Sequence, residues 1–432
     1  MFPTIVLLGT FFVLLFLNVP IGWSIGMAVV AYMLTGCPFS MDYIATTMFT
    51  ACDSFPLMAI PLFILAGALM EGGGLSPRLI GFADSLVGHF RGGLAIVTVL
   101  ACAFFGAISG SAAATVATIG AIMVPSMIRM GYEKGFCFAL IAASGCLGVL
   151  IPPSIPMVTF GCATGTSIAT LFMGGFGPGI LCTLMLIFVA VLICRKNGWQ
   201  GNGMKFSLGR VWQSFVKAIG ALLVPVIILG GIYGGIFTPT EAAAIAVAYA
   251  LIVGKFVYKE LTFEKLKNAL SSSAVTTATI MVIVGTATAL ARMLTLLNVP
   301  TELANFIGGV TSNPLVLLII MNIFLLIVGM VMDSTPAILI LSPILLPIAT
   351  SYGIDPIHFG LMMVLNVSLG FLTPPVGLNL FVACSLGDIQ FPVLCRKLIP
   401  FIIAMFVALL LVTYIPNIST ILPQIFSGYV PA

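Results

Sequence analysis

Two stretches of the chain, GVLIPP at residues 148–153 and GFLTPP at residues 370–375, place a pair of prolines four residues after a glycine. Two successive prolines forbid a continuous helix and free the preceding carbonyl groups. The flanking residues also match, without a gap from about 105 to 165, when 222 is added to each number: Pro125 with Pro347, Gly131 with Gly353, Cys162 with Cys384 and Gly165 with Gly387. The sequence therefore predicts a duplication in which each copy contains a broken helix.

The composition places the chain in a membrane. Of its 432 residues, 61% are hydrophobic and 6% are charged, whereas soluble proteins carry about 25% charged residues. A soluble enzyme, a nucleic-acid-binding protein and a disordered scaffold are excluded, because none of them could present so apolar a surface to water. We predict an all-α polytopic membrane protein in contact with the lipid bilayer and with no nucleic-acid partner.

Apolar runs of about 20 residues predict the membrane-spanning helices. We place these near 2–17, 22–36, 56–71, 135–165, 168–194, 217–235, 240–258, 274–297, 357–386 and 397–414. Two more apolar stretches, 94–128 and 314–350, are each interrupted by a polar or glycine-rich patch, so we predict a re-entrant hairpin in each. The weakly amphipathic pieces 75–90 and 260–270 are predicted to be interfacial helices, and 195–217 a long polar connection.

The same spans give the orientation of the two copies within a single membrane domain, 1–432. Five crossings separate equivalent spans of repeat one (about 56–258) and repeat two (about 274–423). An odd number inverts the second copy, although counting 135–165 as two crossings would reverse this. The topology gathers the following basic residues on one face, which is then cytoplasmic: Arg78, Arg91, Arg129, Lys134, those of 195–217, Lys259, Lys265, Lys267, Arg396 and Lys397. Inverted repeats with broken helices are typical of secondary transporters, whose sites lie at the repeat interface.

The first hairpin is interrupted by small and hydroxylated residues, GAISGSAAAT at 106–115. A helix that restarts there exposes unpaired N–H groups and hydroxyls, which can hold an anion or a dehydrated cation. The alternative is close helix packing, because Gly106 and Gly110 also form a GxxxG pattern.

The second hairpin contains the sequence MDSTP at 332–336, with Asp333 deep in an apolar run. A charge at this depth costs about 2.5–3.5 kcal/mol on insertion scales, so such residues usually face a cavity. The alternative is a helix cap by Asp333 or Ser334, with Pro336 in the first turn. The two interpretations are compatible, because a capped tip can also form the wall of a site.

The two proline breaks predict a cation site. Free carbonyl groups in hydrocarbon are tolerated only where they line a cavity or coordinate an ion. A hairpin tip that faces such carbonyls would form an oxygen cage suited to Na⁺. The alternative is a simple proline kink, which the repetition in register argues against.

Arg292 is the basic residue that the topology places far from the cytoplasmic face. A guanidinium binds a carboxylate with two hydrogen bonds, so Arg292 is a candidate partner for an organic anion. Alternatively, it reaches the outer interface or pairs with a structural acid. Thr238 and Glu241 fit a helix-capping box, and no Walker motif or hydrolase motif is present.

Several motifs in order resemble those of one family: DSFPLMAIP at 53–61, SGSA at 109–112, IPPS at 151–154, TPTEA at 238–242, GMVMD at 329–333, GIDP at 353–356 and TPP at 373–375. The chain resembles the large membrane subunit, DctM type, of tripartite ATP-independent periplasmic (TRAP) transporters, within the ion transporter superfamily. The likeness runs from about residue 2 to 423. It implies an elevator-type, Na⁺-coupled importer in the bacterial inner membrane.

The resemblance also implies partners and sites. The partners would be a small membrane subunit on a separate chain and a periplasmic substrate-binding protein, and the substrates organic acids such as C4-dicarboxylates, keto acids and sialic acid. One Na⁺ would lie between Ser109, Gly110, Ser111 and Gly148, and a second between Asp333, Ser334, Thr335, Gly370 and Thr373. The substrate would lie between the tips, near Arg292, Thr115, Pro153, Ser154 and Pro375.

Three alternatives remain open from the sequence. The nearest is a stand-alone Na⁺/dicarboxylate or citrate symporter of the same superfamily. A second is an intramembrane enzyme that uses Asp333 and His358, although these share no motif. The third is a purely structural membrane subunit, against which the duplicated breaks argue.

Overall fold

The computed structural model describes residues 2–17, 19–35, 40–203 and 206–431, and every regular element in these ranges is helical. The helices up to the middle of the chain are α1 Phe2–Phe16, α2 Ile21–Met33, α3 Met41–Cys52, α4 Ala59–Gly72, α5 Leu75–Val87, α6 Gly93–Ser109, α7 Ala112–Arg129, α8 Lys134–Gly145, α9 Leu147–Leu150, α10 Ile155–Thr164, α11 Ile168–Asn197, α12 Leu208–Tyr233 and α13 Pro239–Ile252. Those that follow are α14 Phe263–Leu296, α15 Val299–Val310, α16 Pro314–Val331, α17 Ser334–Ser351, α18 Pro356–Gly370, α19 Leu378–Ser385, α20 Phe391–Tyr414 and α21 Asn417–Ser427.

The lengths of these helices suit a bilayer. Within the described ranges, nine helices are long and apolar enough to cross it, or ten if α8–α9 and α10, bent by 41°, form one span. Each predicted proline break interrupts a helix: one between α9 and α10, the other between α18 and α19. The predicted fold class, an all-α polytopic membrane protein, is confirmed.

Contacts between the two copies are reciprocal. Adding 222 carries α7 onto α17 and α10 onto α19, and α7 packs on α19 just as α17 packs on α10. The equivalent residues Cys146 and Ser368 touch each other, since the Cys146 thiol donates to the Ser368 carbonyl at 3.1 Å. Reciprocal contacts arise when a two-fold rotation relates the two copies. Equivalent residues can touch each other only if they lie close to the rotation axis.

Several predicted boundaries are wrong. Residues 260–270 do not form a separate interfacial helix, because α14 runs without a break for 34 residues from Phe263. The polar connection is shorter than 195–217, since α11 continues to Asn197 and α12 begins at Leu208; residues 204 and 205 lie outside the described ranges. Three short helices, α3, α15 and α21, lie outside the predicted spans. The predicted end of the second span, residue 36, is not among the described residues.

Candidate transport site

The tip of the first hairpin is a two-residue turn between α6 and α7. Gly110 ends α6 with φ +62°, a conformation that favours glycine. Ser111 begins α7 as its cap, because its hydroxyl accepts a hydrogen bond from the Ala114 N–H at 3.4 Å. This arrangement leaves the backbone of the tip free of side-chain bulk on the side that faces the neighbouring broken helix.

Three oxygen atoms converge behind this turn. The Thr115 hydroxyl donates to the Ser111 carbonyl at 2.8 Å, and it lies 3.3 Å from the Ser109 hydroxyl. The Ser109 hydroxyl is in turn 3.5 Å from the Ser111 carbonyl. Thr115 is fully buried and Ser109 nearly so. A compact set of uncharged oxygen atoms of this kind is suited to coordinate a dehydrated alkali cation.

The tip presses against the first proline break at Gly148. A Cβ atom at Gly148 would lie 2.4 Å from the Thr115 Oγ1 atom and 2.5 Å from the Ser111 carbonyl oxygen. Pro152 has no N–H group to donate to the Gly148 carbonyl. The structure therefore brings Ser109, Gly110, Ser111 and Gly148 together with Thr115. That these residues bind Na⁺ stays a prediction.

Pro153 and Ser154 also lie next to the tip. A Cβ atom at Gly110 would be 3.0 Å from the Pro153 carbonyl oxygen. The Ser154 hydroxyl donates to the Val149 carbonyl at 2.6 Å, and it accepts from the Met157 N–H at 3.4 Å. Ser154 thus replaces the donor that Pro153 lacks, which is a structural task. The predicted contacts of both residues with the substrate stay predictions.

The second tip is also a two-residue turn, but its cap is charged and its first residue, Met332, is extended (φ −132°) where Gly110 is left-handed. Asp333 lies opposite Ser111 in the repeat and caps α17, because its Oδ1 atom accepts from the Ser334 N–H at 2.7 Å and from the Ser334 hydroxyl at 3.3 Å. Asp333 is exposed, whereas Ser334 and Thr335 are buried. The cap interpretation is therefore correct, and it leaves the carboxylate open to a cavity.

The second proline break is more open than the first. Its Gly370 packs on hairpin two so closely that a Cβ atom there would lie 2.3 Å from the Gly329 carbonyl carbon. Thr373 closes the last turn, its N–H donating to the Gly370 carbonyl at 2.9 Å. Residues 374–376, which include the predicted substrate contact Pro375, are exposed, whereas 152–154 of the first break are buried.

Both tips line one cavity of about 330 Å³. Ser109, Gly110 and Ser111 form one wall and Asp333, Ser334 and Thr335 another. Helices α4 and α14 contribute the polar residues Glu71, Ser272, Ser273 and Thr276, and the two broken helices contribute apolar residues such as Val149 and Phe371. Among the described residues, the charged side chains that line it are Glu71 and Asp333, both acidic.

The sequence analysis missed the polar wall on α14. The run SSSAVTT at 271–277 carries the signal, since it is polar within an otherwise apolar helix. The predicted span begins at residue 274, which leaves the serines at the membrane interface. Ser273 is buried, and its hydroxyl, at the cavity wall, has no hydrogen-bond partner.

Arg292 lies elsewhere on α14. It is 16 residues beyond Thr276, or about 24 Å along a helix at about 1.5 Å per residue. Its Nε atom donates to the Tyr43 hydroxyl at 3.1 Å, and it lines a second cavity of about 380 Å³ with Ser54, Leu339 and others. The structure does not bring Arg292 to the tips, and its contact with a substrate carboxylate stays a prediction.

The arrangement can be compared with known proteins. Residues 8–418 match the family model described as "Tripartite ATP-independent periplasmic transporter, DctM component". This chain belongs to the DctM family. It is 42% identical to the C4-dicarboxylate TRAP transporter large permease protein DctM of Pseudomonas aeruginosa, over 93% of this chain and 94% of that protein. It is 39% identical to the sialic acid large permease protein SiaM of Vibrio cholerae, over 96% and 97%.

Two further matches add context. The chain is 44% identical, over 99% of its length, to the isethionate TRAP transporter permease protein DctMQ of Oleidesulfovibrio alaskensis, and it spans 66% of that protein. The solved structure of the Alcanivorax borkumensis YdaH transporter matches with a TM-score of 0.59 at 14% identity, over 86% of this chain and 88% of that one. This last likeness concerns the fold alone.

Membership of the DctM family settles several predictions. The chain is the large permease of a TRAP transporter in the bacterial inner membrane, one component of a tripartite system. It is not an enzyme, so the alternative that used Asp333 and His358 is wrong. Neither the Na⁺ sites nor the elevator movement follows from the family match.

Proposed function

We propose that this chain is the membrane permease of a Na⁺-coupled importer that takes up a small organic anion. The observation that carries the proposal is the cavity between the two hairpin tips, whose charged side chains are both carboxylates. A cavity of this sign repels an organic acid unless positive charge is added to it. Sodium bound at the tips would supply that charge, so substrate binding would depend on sodium binding.

The first proposed Na⁺ site consists of the Ser109 hydroxyl, the Ser111 carbonyl and Gly110, together with the freed carbonyl of Gly148. The Thr115 hydroxyl, 2.8 Å from the Ser111 carbonyl, is a further oxygen ligand for the ion. All of these atoms are oxygens, the donor type that coordinates Na⁺ in transporters with unwound helices. The ion would hold the hairpin against the proline break.

The second proposed site consists of Asp333, Ser334 and Thr335 with the carbonyl of Gly370 and the Thr373 hydroxyl. The contact between Gly370 and the hairpin at Gly329 supports it, because it repeats the close packing of Gly106 on Gly148 in the first copy. The Asp333 carboxylate would be neutralised by the ion rather than facing the substrate as a bare negative charge.

The substrate would lie between the tips, where the N-termini of α7 and α17 add partial positive charge. Relatives are named for isethionate, C4-dicarboxylates and sialic acid, which are all acids. The volume of about 330 Å³ is at the lower end of the usual range for ligand pockets, about 300–1,000 Å³. This favours a small acid.

We further propose the partners and the movement. A small membrane subunit would complete the membrane part, and a periplasmic binding protein would deliver the acid. The two copies of the repeat, about 56–258 and 274–423, would be inverted across the membrane. The domain that carries the hairpins 94–128 and 314–350 would move as an elevator against a scaffold built from the spans outside the breaks.

Uptake into proteoliposomes tests the coupling. The wild-type chain, reconstituted with both partners, should accumulate the acid with a Na⁺ gradient and not with an equal K⁺ gradient. Ser111→Ala and Asp333→Asn should abolish Na⁺-dependent uptake. Ser126→Ala is the matched control, since it removes a hydroxyl from the same helix α7 whose hydrogen bonds, to the Ile122 carbonyl and from the Arg129 guanidinium, stay within that helix and away from the tip. Unchanged uptake by both site variants would refute the Na⁺ sites.

Two further experiments test the partners and Arg292. Uptake by this chain without any partner would show that the proposed small subunit and binding protein are not required. An Arg292→Gln variant should raise the half-saturating acid concentration if the guanidinium contacts the acid. If that concentration does not change, Arg292 serves only to bind Tyr43.

A further inference from the structure

A separate cavity of about 830 Å³ opens where α11 ends and α6 begins. Its walls include Phe90, Arg91 and Ile96 on one side and Val191, Arg195 and Trp199 on the other. It belongs to neither hairpin tip. Because α11 has 30 residues and carries Arg195 and Lys196 in its last turn, this end of the helix lies at the level of the lipid headgroups.

The walls of this cavity are fixed by hydrogen bonds between two loops. The Gly92 N–H donates to the Trp199 carbonyl at 3.2 Å, and the Asn202 N–H donates to the Gly88 carbonyl at 2.9 Å. The Trp199 ring also packs on the Tyr132 ring, with 5.1 Å between centroids. The cavity is therefore a built feature of the fold rather than a gap between mobile loops.

The cavity carries uncompensated positive charge. Arg91 and Arg195 are both exposed. Among the described residues, neither of them has a carboxylate within ion-pair distance; the pairs that form are Arg78 with Glu260 and Lys397 with Glu133. Both guanidinium groups line the same cavity, and a guanidinium offers the paired N–H donors that a phosphate diester accepts.

An apolar stripe on α11 ends near the part of the helix that lines the cavity. On α11, the side chains of Ile180, Leu184, Phe188 and Leu192 follow one another at intervals of four residues and are each 49–61% exposed. Residues four apart lie on one face of a helix. The stripe ends at Leu192, the residue after Val191, which lines the cavity. An acyl chain lying along the stripe would bring its headgroup to the end of α11 that carries Arg195.

We propose that this cavity binds the headgroup of an anionic phospholipid. The phosphate would lie between Arg91 and Arg195, and Trp199 would lie at the glycerol level, where tryptophan is enriched. The acyl chains would follow the α11 stripe. Basic cavities beside membrane helices are suited to anionic lipids, and the concave basic end distinguishes this surface from a purely apolar face that packs on a partner helix.

Native mass spectrometry of the full chain in detergent tests the proposal. The probes are dioleoyl phosphatidylglycerol, dioleoyl phosphatidylcholine and inorganic phosphate. We expect the wild type to retain phosphatidylglycerol preferentially. The double variant R91Q/R195Q should bind it about 10- to 30-fold more weakly, given about 1 kcal/mol per basic residue near the surface. The double variant K265Q/K267Q removes the same charge from exposed positions on α14 and should bind as the wild type does.

Three outcomes would overturn the proposal: equal binding of the two lipids, equal loss in both double variants, or competition by inorganic phosphate alone at concentrations similar to those of the lipid. A second measurement does not depend on removing the arginines. Of the three tryptophans, Trp23 and Trp212 are exposed and can be replaced by Phe, so that Trp199 alone fluoresces. Brominated phosphatidylglycerol should quench it and brominated phosphatidylcholine should not; equal quenching would indicate non-specific lipid.

Discussion

Replacing Gly148 by alanine should disable the first hairpin tip. The new Cβ atom would lie 2.5 Å from the Ser111 carbonyl oxygen and 2.4 Å from the Thr115 hydroxyl, where ordinary contact begins at 3.4 Å. The tip would have to move away from residue 148 by about 0.9 Å. Residue 148 cannot instead move toward α6, because Gly106 of that helix packs closely against it. Overpacking of this kind costs about 1–3 kcal/mol.

The retreat is large compared with the tolerance of about 0.2 Å for ligand distances in metal sites. We therefore expect the half-saturating Na⁺ concentration for uptake to rise at least about tenfold, since a loss of about 1.4 kcal/mol in Na⁺ binding gives that factor. The assay is proteoliposome uptake over a Na⁺ titration, with a thermal unfolding curve for each variant.

Gly230→Ala is the matched control, because a Cβ atom at this position in α12 meets open space. It should leave Na⁺ dependence unchanged and stabilise its helix by up to about 1 kcal/mol. If Gly148→Ala takes up substrate with the wild-type Na⁺ dependence, then the tip does not bind Na⁺ against this glycine.

Three other substitutions test the packing, each by the free energy of unfolding in detergent. Asn366→Ala should destabilise the protein by about 1–2 kcal/mol, because the fully buried amide donates to Asn322 at 2.7 Å; no loss would mean that Asn322 finds another partner. Thr238→Ala should cost about 1 kcal/mol by removing the confirmed capping box of α13, and a Thr238→Ser variant should retain most of it. Lys397→Met should change stability by less than about 1 kcal/mol, since its ion pair with Glu133 is 44% exposed on both sides; a larger loss would show that the pair is shielded.

The helix breaks could be predicted because proline chemistry is local. A single proline is tolerated inside a helix here, as Pro125 in α7 and Pro178 in α11 show. Two successive prolines remove two N–H groups in a row, and the interruption follows from that pair in the sequence. The turn at Gly110 and Ser111 is predictable for the same reason, since small residues and a hydroxyl cap suffice to reverse the chain. The register between the two copies then pairs Asp333 with Ser111, because the two positions differ by the same 222 residues that separate the proline breaks.

The cavity wall could not be predicted in this way. Polarity along α14 indicates contact with water or with polar groups, but it does not distinguish water outside the membrane from an internal cavity. The sequence therefore leaves Ser272 and Ser273 at the interface, whereas the structure places them at the cavity. The neighbours of Arg292 could not be predicted either. The sequence indicates how deep in the membrane this residue lies, but not which residues its side chain faces.

The contact between Cys146 and Ser368 has a consequence for the ancestry of the chain. After a gene duplication, most positions acquire two separate environments and can drift independently. A residue beside the symmetry axis instead has its own duplicate as its neighbour, so a change in one copy alters the surroundings of the other. Substitutions at this contact must therefore be compatible with the residue in the other copy, so the two halves cannot diverge independently there.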